Sequence, residues 1–208
     1  MFGGTPDLPV LPLLQIPRLF LAVCLTAGAV KLMDDALDGE RDKALGYENW
    51  ATRLERATTP YALVLALSAA AVDLQATLVL FFAAYALGMG RTPTERQPSG
   101  LPAAAEIILA AAAALYVGGI PYGVAAASQL WAIQMTDDWL DRAEDGKVGE
   151  AGAGNGKAND PGAQWLQLGV AALCTLIAFA LHFWLAVACI LAATVVWTLA
   201  RKREVRES

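Results

Sequence analysis

An acidic nine-residue pattern, DDxxDxxxD, occurs twice in the chain and is its most restrictive feature. The first copy covers residues 34–42 and the second covers residues 137–145, each directly after an apolar segment. If both segments are helical, the aspartates at positions i, i+3 and i+7 of each copy share one helix face. Carboxylates packed so closely repel one another unless a cation neutralises them. A single copy fits a solvated helix end equally well, whereas a repeat at all four positions favours a site.

The repeated carboxylates predict a divalent metal site. Mg²⁺ prefers carboxylate oxygens and completes its shell with water and substrate phosphate, so two such clusters facing each other would hold Mg²⁺. The predicted metal ligands are Asp34, Asp35, Asp38 and Asp42 of the first copy, and Asp137, Asp138, Asp141 and Asp145 of the second.

The rest of the composition indicates a membrane protein. Of the 208 residues, 57% are hydrophobic, and the mean hydropathy of +0.46 is too high for an ordinary soluble domain. The formal net charge is −5, but eight of the twenty acidic residues are motif aspartates, so the remainder carries +3. The acidic balance is therefore not evidence for a basic partner, and we expect no nucleic-acid partner. The three cysteines lie in apolar runs without CxxC spacing, which is typical of packing residues.

Apolar segments divide the chain into about seven predicted transmembrane helices. They cover residues 18–37, 59–72, 74–89, 101–116, 122–140, 165–181 and 183–200, several of them shorter than the roughly 20 residues that span a bilayer. Residues 1–17 contain four prolines and are predicted to form an irregular lead-in. Polar loops are predicted at 39–57, 91–100 and 146–162. The predicted fold is an all-α polytopic membrane bundle.

Basic residues concentrate on one side of this bundle. If both acidic motifs face the same side, residues 39–57, 91–100 and 141–163 and the C-terminal tail lie on that side and hold 13 of the 15 Lys and Arg residues, all but Arg18 and Lys31. By the positive-inside rule, the motifs face the cytoplasm and the N-terminus lies outside. We expect an integral protein of a prokaryotic plasma membrane.

The repetition extends beyond the two motifs. Each motif-bearing helix is followed by a polar loop and a pair of closely spaced helices, which predicts an internal duplication within one membrane domain covering residues 1–208. Repeat 1 covers about 18–90, a connecting helix covers 101–117, and repeat 2 covers about 120–200. Sites formed at the interface of two repeats are the expected substrate sites of such duplicated membrane proteins.

The two nonapeptides at the ends of membrane helices resemble those of the UbiA superfamily of intramembrane prenyltransferases, whose first motif is close to NDxxDxxxD. The resemblance implies a helical bundle that binds a prenyl diphosphate through Mg²⁺ and accepts its isoprenoid tail in a cavity open to lipid. It implies Asp35, Asp38, Asp138 and Asp141 as catalytic residues, with or without a lipophilic acceptor as second substrate. Asp34 replaces the usual asparagine, which keeps an oxygen ligand and adds charge.

The chain departs from this family in size. The family typically has nine helices, so on this resemblance we expect seven of them here, without the helix before the first motif and the last one. A homodimer or a partner subunit is therefore expected to cover the face that the missing helix leaves open, around residues 21–29.

Several polar residues near the motifs are candidates for substrate binding. Arg53, Arg56 and Lys147 could bind phosphate, although each also fits an ordinary positive-inside charge. Gln134 precedes Asp138 by four residues on the same helix face, and Asn49 lies in the first loop. Lys31 either pairs with Asp34 or Asp35, at i+3 or i+4, or contacts an anionic substrate.

Two other kinds of protein remain open. The stretch Asp35–Gly39 matches DxxDG, the opening of the CDP-alcohol phosphotransferase motif, but its Ala-Arg pair and its later GxxxDxxxD are absent. A divalent-cation transporter would also use acidic residues, but a conduction path needs them at mid-membrane and not at helix ends. The pattern therefore favours a Mg²⁺-dependent enzyme acting on a prenyl diphosphate.

Overall fold

The computed structural model describes residues 11–45, 49–88, 94, 96–97, 99–149 and 161–204. Within these ranges, side chains are not described for residues 11–14, 38, 40–45, 141–149, 161, 163 and 200–204. The third and fourth aspartates of both motifs are among them, so their helical position is known but their side-chain contacts are not.

All regular elements of the described part of the chain are helical, which confirms the all-α prediction for those residues. They are α1 (Leu11–Leu45), α2 (Trp50–Leu54), a 3₁₀ turn (Glu55–Ala57), α3 (Thr58–Val72), α4 (Leu74–Gly88), α5 (Ala103–Gly149) and α6 (Pro161–Glu204). Three helices among the described residues are long and apolar enough to cross a membrane, over Gln15–Leu37, Ala103–Leu140 and Gln164–Leu199. These spans support the prediction of a membrane protein.

The chain forms two compact units, the first comprising residues 1–78 and 191–208 and the second residues 79–190. In the first unit, α1 packs against α3. The Arg18 guanidinium, near the start of α1, donates a hydrogen bond to the carbonyl of Val72 at the end of α3. At mid-helix, the α carbon of Gly28 faces Leu65, whose Cδ1 would lie 3.3 Å from a Cβ added to that glycine. The two helices therefore run antiparallel.

Small side chains make this close packing possible. Ala22 and Ala29 of α1 and Ala62 and Ala69 of α3 are all buried, while Leu63 and Leu67 on α3 are exposed. Membrane helices associate through such small residues, because lipid provides no hydrophobic drive for helix contact and backbones must approach closely. The exposed leucines are consistent with a surface that faces lipid.

The second unit contains α5 and the part of α6 up to Ile190, and each of these two helices is interrupted once. Gly119 interrupts α5 with φ 71° and ψ 168°, and His182 interrupts α6 with φ −155° and ψ 83°. The rings of Tyr122 and His182 meet edge to face with centroids 4.6 Å apart. Further along, the Gln167 amide donates to the carbonyl of Met135 at 2.8 Å. The second part of α5 and the first part of α6 therefore run antiparallel, with contacts beside the two interruptions and again at Met135 and Gln167.

Several predicted helix ends were wrong. Residues 11–17, predicted as an irregular lead-in, belong to α1 despite Pro17, and α1 continues to Leu45 through part of the predicted loop 39–57. The same loop contains α2 and the 3₁₀ turn, and α5 continues to Gly149 into the predicted loop 146–162. The prediction equated polarity with loops, whereas Glu, Arg, Lys and Ala have high helix propensity in water as well. By contrast, the predicted breaks at Asp73, at Gly118-Gly119 and at His182 lie where the structure has them.

Candidate metal and diphosphate site

Both acidic motifs lie on continuous helix. Residues 34–42 belong to α1 and residues 137–145 to the second part of α5, beyond the interruption at Gly119. Successive residues of an α-helix are rotated by about 100°, so the four aspartates of DDxxDxxxD fall within an arc of about 100°. Each motif therefore presents one stripe of four carboxylates along two turns, which is the arrangement that a divalent ion neutralises.

The two neighbouring aspartates at the start of the first motif have different environments. Asp34 is exposed, whereas Asp35 is only 5% exposed. Oδ1 of Asp35 forms an ion pair with Nζ of Lys31, one turn earlier on α1, at 3.0 Å. Its Oδ2 accepts a hydrogen bond from the backbone N–H of Trp50 at 3.1 Å. Asp35 therefore joins α1 to the first residue of α2. For Lys31, the sequence left two roles open, an ion pair or a contact with substrate, and the structure shows the ion pair.

Asn49 forms the N-cap of α2. Its Oδ1 accepts a hydrogen bond from the backbone N–H of Thr52 at 2.8 Å, and the Thr52 hydroxyl accepts from the N–H of Asn49 at 3.0 Å. The Asn49 amide also donates to the backbone carbonyl of Asp35 at 3.2 Å. The side chain predicted to bind substrate thus fixes the start of α2 against the first motif.

Arg53 and Arg56 follow on this short segment, Arg53 in the last turn of α2 and Arg56 in the 3₁₀ turn. Both are exposed. Between them, Glu55 has φ 48° and ψ −119°, a positive-φ conformation unusual for a residue with a side chain. Such conformations persist only where surrounding contacts fix them. The segment that carries the two predicted phosphate ligands is therefore held in one particular conformation.

The second motif begins with an exposed Asp137 and a half-buried Asp138, and Gln134 is half-buried one turn earlier. The carbonyl of Met135 in this turn accepts the hydrogen bond from Gln167 of α6. By helix geometry, Gln134 falls inside the arc of the motif aspartates. In each unit, an amide side chain from a later segment thus donates a hydrogen bond to a backbone carbonyl in or next to the motif. This side chain is Asn49 in the first unit and Gln167 in the second.

Among the side chains that the structure describes, no three His, Cys, Asp or Glu residues are close enough to hold a metal ion. The side chains of Asp38, Asp42, Asp141 and Asp145, and that of Lys147, lie outside the described set. The metal site therefore stays a prediction. It rests on the sequence of the two motifs and on the shared helix face of their aspartates.

Two buried polar side chains of α5 were not among the predicted site residues. Glu106, in the first turn of α5, accepts hydrogen bonds from the hydroxyls of Tyr85 and Ser99. Gln129, in the second part of α5, is 2% exposed, and its Oε1 accepts no hydrogen bond from the described residues. The N-cap of α2 was also missed, although Asn49 followed by Thr52 is a recognisable capping-box spacing.

No known protein family, curated protein or solved structure matches this chain.

Proposed function

We propose that the protein is a Mg²⁺-dependent intramembrane enzyme that ionises a prenyl diphosphate and either transfers the prenyl group to an acceptor or converts it without one. The observation that carries this proposal is the repeated DDxxDxxxD pattern, each copy on uninterrupted helix directly beyond an apolar segment. Two stripes of carboxylates with the same spacing along the helix are suited to bind Mg²⁺ and, through Mg²⁺, a diphosphate. That both stripes act on one diphosphate is inferred from their identical spacing.

The proposed reaction requires a metal ion at the diphosphate and apolar surroundings for the prenyl group. In the reaction, the bond between the allylic C1 and the diphosphate oxygen breaks, and its electron pair leaves with the diphosphate. The motif carboxylates would hold Mg²⁺ for this step, and the bound ion would supply the positive charge that neutralises the leaving oxygen. The allylic cation left behind is then attacked by an acceptor, or it loses a proton to give a hydrocarbon. Apolar surroundings keep water from attacking it first.

In this proposal, the chain's polar residues have separate roles. Carboxylates of both motifs hold Mg²⁺, and Asp38 and Asp141 lie at the centre of the two stripes. Arg53 and Arg56 bind phosphate oxygens, for which the planar guanidinium is well suited. Lys147 adds a further positive charge beyond the second motif, and Gln134 orients a ligand or a water molecule.

We also propose the finer architecture of seven membrane segments in two repeats. Two observations support it. The interruptions at Gly119 and His182 divide the two longest helices into segments of membrane-spanning or slightly shorter length. In both units, the motif-bearing helix packs antiparallel against a following helix.

The orientation can be tested by labelling. With both motifs on the cytoplasmic side, a single cysteine at Gly146 or at Thr94 should react with a membrane-impermeant maleimide only when the cytoplasmic face is accessible. A cysteine at Leu74, the exposed first residue of α4, is the matched control and should react only from outside. The native cysteines lie in apolar segments and are replaced beforehand. Outside labelling at Gly146 or Thr94 would contradict the proposed orientation.

The reaction itself is tested with purified protein and a panel of prenyl diphosphates of increasing chain length. We expect release of diphosphate that requires Mg²⁺, is abolished by EDTA, and returns when Mg²⁺ is added back. Parallel reactions with aromatic and lipid acceptors identify a second substrate by the prenylated product. CDP-alcohols serve as the contrasting substrate class, and turnover of these without turnover of any prenyl diphosphate would refute the proposal.

A further inference from the structure

The first motif contains one carboxylate, that of Asp35, whose two oxygens both already have a partner within the protein. Asp35 is buried, its Oδ1 is 3.0 Å from the Lys31 ammonium, and its Oδ2 accepts from the Trp50 N–H. A divalent ion bound to Asp35 would lie close to the Lys31 charge and would be repelled by it. It would also compete for oxygens that are already bonded. Asp34, beside it in sequence, is exposed.

Asp35 instead holds one end of the segment that carries the two arginines. The Trp50 N–H and the Asn49 amide both bond Asp35, one to its carboxylate and the other to its backbone carbonyl. At the far end, the buried hydroxyl of Thr58 donates to the carbonyl of Ala51 at 3.2 Å. The segment is thus tied to α1 at its start and to α3 at its end, and its position relative to the acidic stripe is fixed.

We propose that Asp35 is a positioning residue and not a metal ligand. Neutralised by Lys31, it fixes α2 so that Arg53 and Arg56 lie where the phosphates of a prenyl diphosphate arrive, while the other aspartates of the motif bind Mg²⁺. This inference rests on the proposed function and deepens it. It assigns different roles to aspartates that the motif alone treats as equivalent.

Matched asparagine substitutions separate the two roles. Asp35→Asn keeps an oxygen that accepts from Trp50, so the Mg²⁺ concentration that half-saturates diphosphate release from geranylgeranyl diphosphate should stay at the wild-type value. Asp38→Asn removes a predicted ligand and should raise that concentration by about tenfold or more. Asp35→Ala removes the anchor, so KM for the prenyl diphosphate should rise by about tenfold with kcat little changed. A rise in the Mg²⁺ requirement of Asp35→Asn comparable to that of Asp38→Asn would overturn the proposal.

A second measurement is independent of catalysis. Lys31→Gln leaves the Asp35 carboxylate buried without its counter-ion, which should lower Tm in detergent without added metal. Adding Asp35→Asn to that variant removes the unpaired charge and should restore Tm. Additive losses in the double variant would overturn the anchoring role. If wild-type protein releases no diphosphate from any prenyl diphosphate, the proposed function fails, and the Tm cycle still decides whether Asp35 and Lys31 anchor α2.

Discussion

Asp38→Asn and Asp141→Asn are each expected to lower kcat/KM for Mg²⁺-dependent diphosphate release by about a hundredfold or more. Each residue lies at the third aspartate of its motif, in the middle of the carboxylate stripe. The substitution keeps the size of the side chain but removes the charge that holds Mg²⁺ against the leaving diphosphate. Initial rates measured over a range of Mg²⁺ concentrations will show the loss.

Asp73→Asn is the matched control for both variants. Asp73 lies between α3 and α4, outside both motifs, and its Oδ1 accepts from the N–H of Ala76 at 3.1 Å. Asparagine caps helices as well as aspartate does, so this variant should fold and turn over normally. Wild-type rates in either Asp38→Asn or Asp141→Asn would show that the corresponding motif is not part of the reaction site.

Gly119→Ala is expected to destabilise the protein by about 1–3 kcal/mol, because Gly119 interrupts α5 in a conformation that is essentially restricted to glycine. Its φ of 71° and ψ of 168° would place an added Cβ against the residue's own backbone, although among the described residues no atom beyond the two chain neighbours of Gly119 lies within 4 Å of that Cβ. The cost is therefore one of backbone conformation and not of packing. Thermal unfolding in detergent, followed by circular dichroism, measures it.

Gly169→Ala provides the comparison. Gly169 is a helical residue of α6 with no positive φ, and apart from the nearby backbone of α6 a Cβ added to it would also meet no described atom within 4 Å. Alanine is favoured over glycine inside a helix by about 1 kcal/mol, so this variant should be at least as stable as wild type. Equal Tm values for the two variants would contradict the assignment of Gly119 as the point where α5 is interrupted.

The helical architecture could be predicted from sequence because apolar segments and their breakers are local signals. Gly118-Gly119 marks an interruption because glycine tolerates positive φ. Asp73 marks another because aspartate caps the start of the next helix. Helix ends could not be predicted equally well. At residues 39–45 the apolar segment ends but α1 does not, because charged residues continue a helix into water.

The candidate site, too, could be predicted only in part from the sequence. The spacing of Lys31 and Asp35 is enough to predict an ion pair at i, i+4. The bond from the Trp50 N–H to Asp35 was not predictable, because it depends on where α2 lies after residues 46–48 rather than on any local pattern. The motif alone therefore made Asp35 and Asp34 equivalent, whereas burial separates them.

The most direct test of the central claim is equilibrium binding of a non-hydrolysable prenyl thiodiphosphate to the purified protein. We predict binding that is tight in Mg²⁺, at least about a hundredfold weaker in EDTA, and weakened in Mg²⁺ by both Asp38→Asn and Asp141→Asn. Because no bond is broken, this measurement separates recognition of the diphosphate from the chemical step. An affinity that is the same with Mg²⁺ and with EDTA, or that either variant leaves unchanged, would contradict the claim that both acidic motifs bind the diphosphate through Mg²⁺.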